Sequence, residues 1–219
     1  MAKYVLIGGG EIGRGNTPYE TKEIDEEIVK LTNKAHPNFL FIGLASSHSD
    51  SYYDQIKKIY KELNCETVYL KKSNIINNPN IVENKINSAD IIYIGGGDTI
   101  KLLNTIKEYH IDKLLNNVKE KDIVIAGISA GAILLSKEGY SDSYILRGEK
   151  DKYEFIKGLN FVDIIISPHY EIESVKTKEL LEDIGNRKVY CISNCAALKI
   201  IDNKIEIIKS KKDAIVTTY

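Results

Sequence analysis

Short apolar segments alternate with segments of helical periodicity over the first half of the chain, and this alternation restricts the fold more than any other feature. The apolar segments, each four to six residues long, are residues 4–7, 39–44, 67–70, 90–94 and 122–126. Between them, apolar residues recur at a helical spacing, for example at Ile24, Ile28 and Leu31. Strands that alternate with helices build a mostly parallel sheet with helices on both faces. The sequence therefore predicts an α/β fold of three layers.

The rest of the chain is less regular. Further strands are predicted at residues 162–167, 189–193, 197–201 and 204–208, and a helix at 174–184. Asp202-Asn203 between the last two strands predicts a hairpin turn. Residues 137–160 are polar, rich in tyrosine and without a clear period, so we expect them to be irregular and to carry function.

Length and composition restrict the class of protein. A chain of 219 residues fits a single domain, here residues 1–219, and 43% hydrophobic with 28% charged residues is typical of globular proteins. The net charge of −1 gives no electrostatic reason to bind nucleic acid or an anionic membrane. The N-terminal residues lack the features of a signal peptide, and no apolar run approaches the ~18 residues of a membrane span. We expect a cytoplasmic monomer or homodimer that uses no metal or cofactor.

The segment Gly127-Ile128-Ser129-Ala130-Gly131 carries the clearest chemical signal. It follows one apolar run, 123–126, and precedes another, 132–135. A tight turn between a strand and a helix projects the hydroxyl of its apex residue above the sheet, and small residues must flank the apex. The segment predicts a Ser129 nucleophile. The simpler alternative is a strand that ends in a glycine-rich cap.

A serine nucleophile needs a base, and His169 is the favoured one of the four histidines. In parallel α/β folds, ligands bind beyond the carboxyl ends of the strands. His169 comes at the end of a predicted strand with the apolar run Ile164-Ile165-Ile166, and Pro168 stiffens its approach. His48 also follows a strand, but in a polar loop, while His36 and His110 lie at connections away from this edge of the sheet.

An oxyanion hole needs two backbone donors. The N–H group of Ala130 is one candidate, and the glycine-rich segment 95–97 offers the other because glycine lets the backbone approach a substrate closely. A phosphate-binding turn is the alternative for this segment. Asp98 follows directly, and its carboxylate would repel an anion.

Three motifs resemble those of a known family. They are Gly-Gly-Gly-Asp-Thr at 95–99, Gly-Ile-Ser-Ala-Gly at 127–131 and Ser-Pro-His-Tyr at 167–170. In this order and spacing they resemble the peptidase E family of aspartyl dipeptidases, which is related to cyanophycinase. The resemblance implies a class I glutamine-amidotransferase-like fold, with Ser129 as nucleophile and His169 as base. It also implies an oxyanion hole from Ala130 with Gly97 or Gly96.

The sequence departs from the family pattern at the third member of the triad. The family has a glutamate where Ser193-Asn194 stand. An asparagine can orient a histidine through its side-chain oxygen, so Asn194 is the predicted third member. Asp142 or Glu149 from the irregular segment, or no residue at all, are the alternatives.

A second departure concerns the substrate. Aspartyl dipeptidases have an arginine shortly after the catalytic histidine, whereas residues 171–184 contain lysines and no arginine. We expect Lys176 and Asp98 to contact the substrate, with no strict preference for aspartate.

The sequence thus predicts a serine peptidase that cleaves a small peptide or amide. Its alternative is a catalytically weak or non-catalytic binding protein on the same fold. A nucleotide-binding oxidoreductase is a weaker alternative, because residues 8–13 match G-x-G-x-x-G without an evident helix after them. An α/β-hydrolase would place its histidine later in the chain.

Overall fold

The computed structural model describes residues 1–47 and 49–219 and contains two β-sheets. The strands are β1 (Lys3–Ile7), β2 (Asn38–Ile42), β3 (Glu66–Leu70), β4 (Ile91–Ile94), β5 (Val124–Ile128), β6 (Ser136–Ser141), β7 (Glu154–Lys157), β8 (Val162–Pro168), β9 (Val189–Ile192), β10 (Ala196–Ile201), β11 (Lys204–Lys209) and β12 (Val216–Thr218). The helices are α1 (Lys22–Lys30), α2 (Ser49–Glu62), α3 (Lys72–Asn77), α4 (Pro79–Ser88), α5 (Thr99–Glu108), α6 (Ile111–Val118), α7 (Ala130–Leu135), α8 (Ser143–Leu146) and α9 (Val175–Asp183).

The larger sheet has seven strands in the order β11-β10-β1-β5-β4-β2-β3. Strands β1, β5, β4, β2 and β3 are parallel to one another, and β10 and β11 add an antiparallel edge. Successive residues of a strand point to opposite faces, and here both faces are buried. In β2, Leu40 and Ile42 belong to one apolar cluster while Phe39 and Phe41 belong to another. The predicted three-layer, mostly parallel α/β fold is confirmed.

The second sheet has five strands in the order β12-β9-β8-β6-β7. It shows that the expectation of an irregular segment at 137–160 was wrong, because β6, α8 and β7 lie there. Strand β6 pairs parallel to β8 and antiparallel to β7, and α7 packs on it. Its sequence, Ser-Lys-Glu-Gly-Tyr-Ser, is ordered by pairing on both sides rather than by a regular apolar alternation.

The predicted hairpin between β10 and β11 is confirmed. Ile201 pairs with Lys204, and Asp202 and Asn203 have φ values of 48° and 61°. Positive φ at both central residues is typical of a type I′ turn. None of the helices in the described residues is both long and apolar enough to cross a membrane.

The ends of several strands meet at one edge, where backbone hydrogen bonds join their loops. The N–H of Ser129 donates to the carbonyl of Ile7, and the N–H of His169 donates to that of Gly8, at 2.9 and 3.0 Å. The N–H of Cys195 donates to the carbonyl of Gly9 at 3.0 Å. The last residue of β1 and the loop after it therefore fix the segments after β5, β8 and β9 relative to one another.

Candidate active site

Ser129 lies at the apex of the tight turn between β5 and α7. Its φ of 54° and ψ of −114° are far from the regions that ordinary residues occupy. A side chain at Gly127 would collide with the carbonyl group of Gly131, and one at Gly131 would collide with the carbonyl group of Ile94. The two glycines are therefore required for packing, and the strained backbone presents the hydroxyl at the sheet edge.

His169 lies directly beyond β8 with its ring beside Ser129. The distance from His169 Nε2 to Ser129 Oγ is 2.8 Å, and from His169 Nδ1 to Asn194 Oδ1 it is 2.7 Å. An amide oxygen only accepts hydrogen bonds, so Nδ1 carries the proton in this arrangement. Nε2 is then left as an acceptor for the hydroxyl proton of Ser129, which is the arrangement that a general base requires.

Asn194 reaches His169 from the short connection, residues 193–195, between β9 and β10. The hydroxyl of Ser193 accepts from the N–H of Ile215 at 2.8 Å and anchors this connection to the chain before β12. Gly9 provides the room, since a side chain there would collide with both Asn194 Oδ1 and the His169 ring. The sequence left Asn194, Asp142 and Glu149 as candidates for the third member of the triad. In the structure, Asn194 is the one whose side chain reaches Nδ1 of His169.

The two alternative acids lie elsewhere. Glu149 accepts from Arg147 Nε at 2.7 Å on the exposed surface. Asp142 is half-buried at the residue before α8, close enough for its charge to act on His169. The alternative base, His48, lies outside the described residues.

The predicted oxyanion donors surround Ser129. A Cβ atom at Gly96 would be 3.3 Å from Ser129 Cβ, so this glycine faces the serine directly. The amide of Gly96 lies near the Tyr52 hydroxyl and opposes the rise in the pKa of Tyr52 that burial causes. Ala130 is the first residue of α7, where a backbone N–H group has no acceptor within the helix. Gly97 lines the same cavity as Ser129.

The pKa of His169 is lowered from its ordinary value of 6.5. The ring faces an open cavity, yet protein surrounds it on most other sides, and the loss of solvation is the main cause. The positive charge of Lys176 adds to this effect, while the hydrogen bond to Asn194 opposes it. A lowered pKa keeps the ring neutral, as a base must be, down to more acidic pH.

The two residues predicted to contact the substrate, Lys176 and Asp98, lie apart from the other predicted site residues. Lys176 is 8% exposed, and its ammonium group donates to the carbonyl of Pro168 behind His169. Burial lowers the pKa of Lys176 to about 8. Asp98 caps helix α5 by accepting from the N–H groups of Ile100 and Lys101 at 2.9 and 3.2 Å. The structure brings neither side chain to the cavity beside Ser129.

A cavity of about 280 Å³ opens beside Ser129, His169 and Asn194. It is also lined by residues to which the sequence assigned no specific role: Gly9, Gly10, Glu11, Arg14, Ser46, Tyr52 and Ile128. A second cavity, of about 420 Å³, touches the other side of His169 and Asn194 without Ser129 in its lining. We place the site in the smaller cavity because it contains the serine hydroxyl.

The lining explains the glycine pattern at residues 8–13. Gly8 packs against backbone carbonyls of Ile192 and Ser193, and Gly9 packs against the His169–Asn194 pair. The chain then forms a small hairpin, and α1 begins only at Lys22. A dinucleotide fingerprint requires a helix immediately after the glycines, so the structure provides no such site.

Comparison with known proteins identifies the family. The family model described as Peptidase family S51 matches residues 4–208, a span that contains Ser129, His169 and Asn194. The chain belongs to peptidase family S51. It is a serine-type peptidase, and the predicted membership of the peptidase E family is confirmed.

Individual relatives agree with this assignment. The "Uncharacterized peptidase YgaJ" of Bacillus subtilis (strain 168) is 28% identical over 209 residues, covering 94% of this chain and 86% of that protein. The "Peptidase E" of Shewanella denitrificans is 28% identical over 161 residues, covering 71% of this chain. The match spans 63% of that protein's length, which is less than two thirds.

Solved structures share the fold. The crystal structure of a peptidase from an acI-B1 Actinobacterium superposes with a TM-score of 0.68 at 21% identity, covering 99% of this chain and 94% of that one. A protein from Listeria monocytogenes EGD-e gives a TM-score of 0.71 at 22% identity, covering 95% and 98% of the two chains.

Proposed function

We propose that Ser129 is the nucleophile of this peptidase and that it attacks the carbonyl carbon of a peptide or amide bond in a small substrate. The observation that carries the proposal is the continuous hydrogen-bonded series of Asn194 Oδ1, His169 and Ser129 Oγ, at 2.7 and 2.8 Å. Each partner has the role its chemistry allows: an acceptor that orients the ring, a neutral base and a hydroxyl donor.

The reaction proceeds in two halves. His169 Nε2 takes the proton of Ser129 Oγ as the Oγ–C bond forms, and then gives that proton to the departing amine as the C–N bond breaks. The product amine leaves, and Ser129 retains the acyl group as an ester. Water then attacks the ester with His169 again as base, which restores the free serine and releases the acid.

The amides of Gly97 and Ala130 hold the oxyanion that forms in each half. Donors that are fixed before the reaction stabilise the developing charge because they need no reorganisation. The amide of Gly96, the other predicted donor, lies near the Tyr52 hydroxyl. Gly96 shapes the floor of the site beside Ser129 Cβ.

The dimensions of the site support a small substrate. Its volume of about 280 Å³ lies just below the ~300–1,000 Å³ that is typical of small-molecule sites. Three further proposals rest on the sequence: a single domain, a monomer or homodimer, and no nucleic-acid partner. The three cysteines are free and buried, which supports the proposal of a cytoplasmic location.

Replacement of the nucleophile tests the proposal. Ser129→Ala should lower kcat by ~10³-fold or more on a panel of dipeptides and amino-acid esters, because nucleophile and base act as a unit. Ser88→Ala removes an exposed hydroxyl at the end of α4 and serves as the matched control. Equal rates for wild type and Ser129→Ala on every substrate would contradict the assignment.

A further inference from the structure

Arg14 lines the cavity beside Ser129, and it differs from the other two arginines of the chain. Arg147 donates to Glu149 at 2.7 Å, and Arg187 donates to Glu138 at 3.0 Å. The nearest carboxylate to Arg14 is that of Glu11, at 3.8 Å, which is beyond hydrogen-bond distance. No residue in the described ranges 1–47 and 49–219 accepts a hydrogen bond from the Arg14 guanidinium.

A structured hairpin holds Arg14 in place. The N–H of Gly13 donates to Pro18, and the N–H of Thr17 donates to Arg14 itself, both at 3.0 Å. The Thr17 hydroxyl also donates to the Arg14 carbonyl at 2.8 Å. The hairpin thus fixes the backbone from which the Arg14 side chain extends before any ligand arrives, which reduces the entropy cost of binding.

The guanidinium is oriented by an aromatic ring that also contacts the proposed catalytic loop. It lies 4.9 Å from the centre of the Tyr52 ring, and the Tyr52 hydroxyl lies near the amide of Gly96. Stacking of this kind leaves the N–H groups at the edge of the guanidinium free to donate.

The charges of the cavity define what Arg14 can bind. Among the described lining residues, Arg14 supplies the permanent positive charge and Glu11 the negative one. The lysine that was expected to contact substrate, Lys176, is buried behind His169. Arg14 is therefore the group that can neutralise an anionic substrate next to Ser129.

We propose that Arg14 binds a carboxylate group of the substrate and so determines which small peptides are cleaved. The proposal rests on the function proposed above, because it takes the cavity beside Ser129 as the peptide site. A guanidinium edge and a carboxylate form two parallel hydrogen bonds, so the pair fixes orientation as well as charge. The carboxylate comes either from the C-terminus of a short peptide or from an acidic side chain.

Paired substrates and variants test the proposal. Steady-state rates are measured for Asp-Ala against Asn-Ala, and for Ala-Ala against Ala-Ala amide, with wild type, Arg14→Gln and Arg14→Lys. The control is Arg187→Gln, because Arg187 also lies over an aromatic ring, at 4.4 Å, and is similarly exposed, at 38% against 44% for Arg14, but does not line the cavity beside Ser129.

We expect Arg14→Gln to raise KM by about 10- to 100-fold for the substrate that carries the recognised carboxylate, with little change in kcat, the loss expected for charge-assisted hydrogen bonds. The rates for the matched substrate without that carboxylate should be unaffected. The pair of substrates that responds shows whether the carboxylate comes from the C-terminus or from an acidic side chain. Arg14→Lys keeps the positive charge but cannot form the two parallel hydrogen bonds, so its KM should lie between those of wild type and Arg14→Gln.

Two results would overturn the proposal: equal effects of Arg14→Gln on both members of each pair, or no effect on any. Calorimetric titration of the same peptides into Ser129→Ala and Ser129→Ala/Arg14→Gln reads binding without turnover. Equal affinities, or no binding to Ser129→Ala, would reject the Arg14 site. Failure of the proposed function would show differently, as equal rates for wild type and Ser129→Ala.

Discussion

At the scale of single residues, the neutral side chain of Asn194 has the largest consequence. Asn194 fixes the tautomer and the direction of the His169 ring, since its oxygen lies 2.7 Å from Nδ1. A carboxylate would do the same and would also stabilise the positive ring that forms when His169 accepts a proton. The site therefore has the geometry of a triad without its negative charge.

Asn194→Asp should raise the pKa of His169, because a negative charge beside the ring favours its protonated form. The pKa of His169 now lies below its ordinary value of 6.5, so the acid limb of kcat/KM should have its midpoint below that pH in the wild type and at higher pH in the variant. The measurement is the pH profile of kcat/KM for both proteins.

Asn203→Asp is the matched control, since it makes the same change in the turn between β10 and β11. The control should leave the acid limb where it is in the wild type. A limb that stays in place, or moves to lower pH, in Asn194→Asp would show that Asn194 does not act on His169 as described.

The sequence predicted the three residues whose side chains the structure brings together, Ser129, His169 and Asn194, because each follows a strand or lies within a recognisable motif. Arg14 was missed because nothing in the sequence distinguishes a loop arginine that turns toward the site from one that faces solvent. Its position depends on the hairpin at residues 12–19 and on Tyr52 of α2, which are contacts between distant segments.

At the scale of elements, the loop after β1 controls the site without supplying a reacting group. It accepts backbone hydrogen bonds from Ser129, His169 and Cys195 and carries Arg14. The strand-to-helix turn of Ser129 could be predicted because its requirements are local. The packing of Gly9 against the His169–Asn194 pair could not be predicted, since it joins three separate loops.

Gly9→Ala tests the role of this loop. Its added methyl group would collide with Asn194 Oδ1 and the His169 ring, so kcat/KM should fall by ~100-fold or more, the effect of a displacement of about 1 Å in an active site. Gly148→Ala adds a methyl group that meets nothing within 4 Å and is the control. Unchanged kcat/KM in a folded Gly9→Ala protein would be incompatible with the observed packing.

The difference between local requirements and contacts between distant segments also explains which parts of the fold could be predicted. The parallel strands of the larger sheet are continuous apolar runs, which the sequence shows directly. In the second sheet, β6 is ordered by pairing with β7 and β8, and the edge strand β7 by pairing with β6. Their polar sequences do not contain that information.

At the scale of the whole molecule, the fully buried Asp25 joins the β1 loop to two helices. It accepts hydrogen bonds from Thr21, Tyr60 and Tyr19 at 2.7, 2.7 and 3.0 Å. Burial raises the pKa of Asp25 from 3.8 to about 6, although these hydrogen bonds oppose the rise. The carboxyl is therefore a specific link across the core that carries an electrostatic cost near neutral pH.

This pKa predicts a pH dependence of stability. Because the folded state binds the proton more tightly than the unfolded state, the contribution of Asp25 is fully present below about pH 4 and is lost as the pH rises to about 6. Relative to Asp25→Asn, the wild type should lose unfolding free energy across that range and then stay constant.

Urea unfolding at several pH values from 4 to 7 provides the measurement, with Asp202→Asn in the exposed β10–β11 turn as the control. The control should follow the wild type over the whole range. A difference between wild type and Asp25→Asn that is independent of pH, or that grows in the wild type's favour as pH rises, would contradict the prediction.

Labelling with a fluorophosphonate probe tests the central claim most directly, because the probe reacts only with an activated hydroxyl. The structure predicts that the wild type is modified at Ser129, as located by peptide mapping, and that His169→Ala is not modified. Folded wild-type protein that remains unlabelled, or that is labelled at another serine to the same extent with and without His169, would contradict the claim that His169 activates Ser129.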